Sequence, residues 1–173
     1  MNENQLCKVR KGIKEVLDKL EIQAVSDPEG NKIFAADVDT ADGNGMMINA
    51  CLYVTIKDKN EIVTLEMELE DEIDEDKIVP VLELVNLINR QAIVGHLFVH
   101  LRDKTVFLKK DIILVNGRLN KSELEWSINN LLNNAAFYSV IIREIADFNE
   151  TIDDRSKKHW VSSSYLHKEC RSD

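Results

Sequence analysis

The residues best equipped for chemistry in this chain are its acids, histidines and cysteines, and their spacing limits what they can do. Asp37, Asp39 and Asp42 precede Gly43, Asn44 and Gly45, the composition of a calcium loop. An EF-hand needs acids or Asn at positions 1, 3 and 5, Gly at 6 and Glu at 12. Counted from Asp37, position 5 is Ala41, position 6 is Asp42 and position 12 is Ile48. The register fails, and Asp37–Gly45 reads as a solvated turn. His96 and His100 stand four residues apart in an alternating run. On a strand that separation is about 13 Å, too far to share one metal ion. Near the C-terminus His159 and His167-x-x-Cys170 offer ligand types, but no fourth donor at a zinc-binding spacing accompanies them. No metal is expected.

A denser group is Glu66, Glu68, Glu70, Asp71, Glu72, Asp74, Glu75 and Asp76, eight acids in eleven residues with no base among them. In one solvated run their repulsion is screened by water rather than tuned by burial, so they make poor general acids or bases. The run reads as a dipole-matched entry to the helix that follows. The chain has six Gly in all, and none forms a phosphate loop between a strand and a helix. Nucleophile-elbow and HExxH patterns are also missing. Nothing here points to an enzyme, and no cofactor is expected.

Lys plus Arg number 22 against 31 Asp plus Glu, a net charge of −9. Phosphates would repel such a chain, so nucleic acid and anionic membranes are poor partners. Cys7, Cys51 and Cys170 are odd in number and widely spaced. The opening Met1-Asn2-Glu3-Asn4-Gln5 lacks the basic and apolar regions of a signal peptide. A reduced cytoplasm is the expected location. Cys51, in an apolar strand, reads as core filler. At 173 residues the chain is expected to form one domain that holds together without disulfide or metal.

The elements that must position these residues follow from periodicity. Leu6, Val9, Ile13, Val16, Leu17 and Leu20 recur at helical spacing over about residues 4 to 20, with Asn2 or Asn4 placed to cap. Glu21–Ser26 and Lys32–Val38 flank Asp27-Pro28-Glu29-Gly30, good turn chemistry for a first hairpin. Met47–Ile56 and Glu61–Leu69 form a stronger one around Asp58-Lys59-Asn60, with Leu52, Val54 and Leu65 among the alternating apolar positions. The opposite face carries Cys51, Tyr53, Glu66 and Glu68 and should be partly open.

Ile78–Arg90 reads as a helix, eight of whose first eleven residues are aliphatic. At about 100° per residue they cover roughly 220°, wider than one sheet needs. Two apolar neighbours, and a place at the centre of the core, are expected. A third hairpin joins Gly95–Leu101 to Thr105–Leu114, with His96, Phe98 and His100 on one face. Asn120 caps the last helix, with Glu123 at the capping-box position and Leu119 and Leu124 placed as a staple. Its core face is Leu124, Ile128, Leu131, Ala135, Tyr138, Ile142 and Ile145. Nearly opposite runs a second stripe, Trp126, Phe137, Ile141 and Phe148. Such a stripe meets either a loop of its own chain or another chain. From Asn149 the periodicity is lost, so the expected division is one α+β domain over 1–148 and a polar, flexible tail over 149–173.

The order helix, two hairpins, helix, hairpin, long helix resembles the YbjN-type family, whose fold is that of the small acidic type III secretion chaperones. The points of likeness are Glu21–Phe34, the long hairpin Asn49–Leu69, and Leu84-Val85-Asn86-Leu87-Ile88-Asn89 followed by Gly95–Leu101. They span about residues 5 to 146. The resemblance implies an α+β fold with helices packed on one face of an antiparallel sheet, often dimeric, with no cofactor and no catalytic residues. Asn89 matches a family position, with the implied role of taking up helix-end carbonyls or bonding the following loop. Members are described as sensory transduction regulators or chaperone-like proteins.

These observations together predict a cytoplasmic, non-enzymatic, chaperone-like or regulatory protein-binding module. It is expected to be a homodimer with a protein partner, and with neither nucleic acid nor membrane. Binding is expected at Trp126, Phe137, Ile141 and Phe148, at Tyr53 and Phe98 on the open sheet face, or at both. The rival reading is a small-ligand-binding regulator or enzyme with a pocket near Tyr53, Phe98 and His100.

Overall fold

The computed structural model describes residues 1–26, 33–41, 47–70, 73–92 and 95–147. In chain order they form α1 (Glu3–Lys19), β1 (Val25–Ser26), β2 (Ile33–Ala41), β3 (Met47–Lys57), β4 (Ile62–Glu70), a 3₁₀ turn (Glu75–Lys77), α2 (Ile78–Asn89), β5 (His96–His100), β6 (Thr105–Ile113) and α3 (Lys121–Asp147). The strands make one six-stranded sheet in the order β1-β2-β3-β4-β6-β5, every neighbouring pair antiparallel. The helices cover one face, giving the α+β architecture expected.

Local chemistry accounts for most of the elements. Asn2 Oδ1 accepts from the Gln5 amide at 2.9 Å, and Gln5 Oε1 accepts from the Asn2 amide at 2.9 Å, a reciprocal cap on α1. Val9, Ile13, Val16 and Leu17 are buried beneath it. In the central hairpin Leu52 pairs with Met67, Val54 with Leu65 and Ile56 with Val63, and all six are buried. One face of β3 and β4 is thereby committed to the core. On α3 the Glu123 amide donates to Asn120 Oδ1 at 3.3 Å. All seven predicted core positions of α3 are buried. Lys19 reaches Glu125 at 2.6 Å, and Lys121 reaches Glu15, so charged pairs tie α1 to α3. The hydrogen bond from Lys121 holds the Glu15 carboxyl below the usual carboxylate range.

Four expectations need correction. The chain between Asp37 and Ala41 is not a turn but the second half of β2, with Asp37 opposite Cys51 and Asp39 opposite Asn49. Val38 and Thr40 alternate with the two acids, and β3 offers a full-length partner. The ladder's backbone bonds prevail over the local side-chain bonds that favour Asp in turns. Residues 42–46, the rest of that loop, lie outside the described residues, as does the turn Asp27–Gly30.

The first strand is also shorter than read, because Glu21 and Ile22 serve the end of α1. Ile22 N donates to Leu17 O at 2.9 Å and Glu21 N to Asp18 O at 3.1 Å, while Glu21 sits in the left-handed region at φ 59°. This is a Schellman ending with Glu where Gly is usual.

The acidic run is divided rather than continuous. Glu66, Glu68 and Glu70 belong to β4, and Glu75 and Asp76 to the 3₁₀ turn. The first turn of α2 holds no acid, and Lys77 at its N-cap makes no side-chain capping bond. Asp71 and Glu72 lie outside the described residues.

Finally, α2 does have two apolar neighbours, β5 and α3, but it is not the centre of the core. Its 12 residues lie at the edge of the sheet, and Val79 is 63% exposed. The centre belongs to the 27-residue α3, which packs against β2, β3, β4 and β6. A helix of that length runs about 40 Å, enough to cross the sheet, where α2 runs about 18 Å.

Gly95 enters β5 at φ +71°, and a Cβ there would lie 2.7 Å from the Lys109 carbonyl oxygen. Gly95→Ala should therefore lower unfolding free energy by about 1–3 kcal/mol, since strain and backbone overlap act together. Urea denaturation checks this, with an unchanged midpoint as the contrary result.

Candidate functional site

The sheet face turned away from the helices is partly open, and the strand register fixes its layout. Glu68 on β4 stands opposite Phe107 on β6, and Phe107 opposite Phe98 on β5. In the next row Tyr53 stands opposite Glu66, Glu66 opposite Lys109 and Lys109 opposite His96. The Phe98 and Phe107 rings stack with centroids 5.3 Å apart and planes 15° from parallel. Lys109 Nζ lies 6.0 Å from the Phe98 centroid and 3.8 Å from Glu66 Oε1. Tyr53 Oη donates to Glu68 Oε2 at 3.2 Å. Thr64 Oγ1 donates to Asp111 Oδ1 at 2.7 Å. Tyr53's phenol is pushed well above its ordinary range by its hydrogen bond with Cys51, then by burial and by the Glu68 charge. It stays protonated and remains a donor to Glu68 throughout the neutral range.

Tyr53 and Phe98 thus share a face, but β4 and β6 stand between their strands. Three strand spacings put them about 14 Å apart. His100 sits beyond Phe98, exposed, with its Nδ1 2.6 Å from Asp103 Oδ2 at the β5–β6 turn. The structure does not gather Tyr53, Phe98 and His100 around one pocket.

On the opposite side of the molecule, α3 turns its second stripe outward. Trp126 is 54% exposed and Phe137 39% exposed, while Ile141 is half-buried. Phe148 lies outside the described residues. Phe137 is two residues from buried Ala135, about 200° around the helix, so the stripe points away from the sheet. Asparagines separate its apolar members. Asn130 Nδ2 donates to Trp126 O at 2.8 Å, and Asn134 Nδ2 to Asn130 O at 2.7 Å. These side chains lie back along α3, which leaves the rings of Trp126 and Phe137 as the projecting groups.

Two residues that matter here were not singled out in the sequence. Phe107 and Lys109 complete the aromatic and charged row on the sheet, which Glu66, read from the sequence as part of the acidic run and the open face, joins. The signal for both was present. Alternation in Thr105–Leu114 after a short turn places Phe107 and Lys109 on the face of Phe98. Asn89 does something other than bond helix-end carbonyls or the following loop. Its Nδ2 donates to Leu97 O at 2.8 Å and its Oδ1 accepts from Leu97 N at 2.7 Å. One side-chain amide thereby serves both backbone groups of an edge-strand residue.

Among the described residues no group of three or more His, Cys, Asp or Glu is placed to hold a metal ion. No described helix is long and apolar enough to cross a membrane.

Comparison with known proteins places this geometry in a family. The sequence profile of YbjN, described as "Putative bacterial sensory transduction regulator", matches residues 10–139. No curated protein matches the chain. Among solved structures, the crystal structure of the ExsC–ExsE complex is similar with a TM-score of 0.54 at 16% identity, covering 82% of this chain and 97% of that one. The crystal structure of YbjN from E. coli is similar with a TM-score of 0.55 at 9% identity, covering 78% and 90%. The HopA1–SchA chaperone–effector complex gives 0.49 at 16% identity, covering 83% and 98%. At these identities the likeness is one of fold.

Proposed function

Because the chain belongs to the YbjN family, we propose that it is a non-catalytic protein-binding module, a chaperone-like or regulatory adaptor that acts on another protein as a cytoplasmic homodimer. The observation that carries this reading is the outward stripe of α3, with Trp126 54% and Phe137 39% exposed. Aromatic side chains left in water on one face of a helix whose other face holds the core are the usual signature of a contact surface. That ExsC–ExsE, a structure of like fold, is a complex of two proteins supports the reading. The net charge of −9 supports a basic partner, whose approach it would steer. Asp74 and Asp76 are exposed and placed for that role, beside Glu75, which faces Lys104 at 3.9 Å.

The test is affinity capture from native cells followed by mass spectrometry, with an equally acidic control protein run beside this one. The expected result is one protein enriched by the wild type in a salt-sensitive manner. Absence of any protein enriched above an equally acidic control would overturn the reading.

A further inference from the structure

The open face of the sheet brings a carboxylate beside an aromatic ring at two places, and an ammonium lies with only one of them. In the first, Glu66 and the ring of Phe98 flank a cation, the ammonium of Lys109, 3.8 Å from the carboxylate and 6.0 Å from the ring centroid. In the second, Glu68 stands directly opposite Phe107. There the carboxylate meets the neutral hydroxyl of Tyr53 at 3.2 Å, and no ion pair to Glu68 is present among the described residues. Phe107 stacks on Phe98, so the two arrangements form one continuous surface. Its rings are half-buried and one side remains toward solvent. On the open face, Glu66, Glu68 and Asp111 outnumber Lys109, the lysine of β6 that shares it, so the local field favours a further cation.

We propose that this face docks an arginine-bearing segment of the partner protein, with a guanidinium seated between Glu68 and the stacked Phe107–Phe98 pair. A guanidinium suits the place better than an ammonium. It is planar, stacks on aromatic faces and presents a fork of donors to a carboxylate. A second copy of this chain does not suit it, because a chain of net charge −9 would bring like charge against the glutamates. Self-association is thereby left to the α3 stripe, and the sheet face to a different, basic protein. The inference rests on the protein-binding reading and adds the partner's chemistry and its seat.

The experiment titrates ¹⁵N-labelled full-length protein with a twelve-residue peptide of alternating Arg and Val, with Lys–Val and Glu–Val peptides as controls. The expected result is amide shifts concentrated in β4, β5 and β6 from the Arg peptide, weaker ones from the Lys peptide and none from the Glu peptide. Glu68→Gln keeps an acceptor for Tyr53 while removing the charge. Combined with Phe107→Leu, it should weaken the Arg peptide about tenfold or more, the effect of losing a charge-assisted pair and its stacking. The Trp126→Ser, Phe137→Asp variant should bind the Arg peptide as wild type does. Equal affinity in wild type and the Glu68→Gln, Phe107→Leu variant would overturn the proposal. So would shifts confined to residues 74–76 or to α3. If the chain captures a protein that the Arg peptide fails to displace, this assignment falls and the protein-binding reading stands. If nothing is captured from cells, the broader reading falls whatever the peptide does.

Discussion

Asn89→Ala is expected to lower the unfolding free energy by about 2–4 kcal/mol, a large loss for one exposed-edge contact. The reason lies in what the side chain replaces. Among the described residues β5 is the last strand on its side of the sheet, paired to β6 alone. Leu97, its second residue, is buried, with 2% exposure. Its N–H and C=O would face outward with no ladder partner. Asn89, at the end of α2, supplies a donor at 2.8 Å and an acceptor at 2.7 Å, standing in for a neighbouring strand. Alanine leaves both groups unpaired where α2 restricts water, at about 1–3 kcal/mol each. Asn89→Asp separates the two bonds. It keeps the acceptor for the Leu97 amide but sets a carboxylate against the Leu97 carbonyl. Protonation restores the donor, so the folded form raises that carboxyl's pKa. The Asp variant should then regain stability as the pH falls into its titration range and lose it as the pH rises. Urea unfolding and hydrogen exchange at Leu97 measure both effects. A loss under about 0.5 kcal/mol in Asn89→Ala, with Leu97 still protected, would mean that water serves the strand edge equally well.

Asn89 also shows where reading the chain alone stops. Its place near the end of a helix was legible, but its partner was not, because the edge of the sheet depends on strand order. Consecutive strands pair as hairpins here, and β3, β4, β5 and β6 could all be found by alternation. What alternation does not carry is that β6 rather than β5 pairs with β4. That single fact puts Tyr53 and Phe98 on either side of two strands and sets Glu68 against Phe107. The α3 helix was legible over its whole core face because its signal is local. Leu124, Ile128, Leu131, Ala135, Tyr138, Ile142 and Ile145 mark the buried side at the 3.6-residue period without reference to any other element. The same period isolated Trp126 and Phe137, which the structure leaves exposed. α2 misled through composition. A wide aliphatic arc says how much surface asks for cover, and Val79 at 63% exposure shows that cover is not always supplied within the described chain. β2 misled through residue type, since Asp37 and Asp39 favour turns locally and a strand only once β3 is beside them.

Trp126→Ser combined with Phe137→Asp is expected to halve the mass measured by light scattering while the chain stays folded. In a two-fold dimer each residue of the stripe counts twice, once from each copy. Full burial of a large apolar side chain contributes roughly 1.5–3 kcal/mol. Trp126 and Phe137 have 54% and 39% of their surface left to bury. Four partial burials per dimer then amount to about 3–6 kcal/mol, and the buried carboxylates of the variant would add a further cost. At about 1.4 kcal/mol per tenfold, the dissociation constant should rise at least a hundredfold. Stability of the single chain should change little, because α3 is held from its other side. Leu131, Ala135 and Ile142 are fully buried against the sheet, and Lys19–Glu125 and Lys121–Glu15 fix it to α1. A folded monomer therefore assigns the stripe to the interface between copies. Unfolding of the variant would assign it to cover by the chain's own residues beyond Asp147. An unchanged mass with unchanged stability would leave the stripe bare in the free protein and free for a different partner.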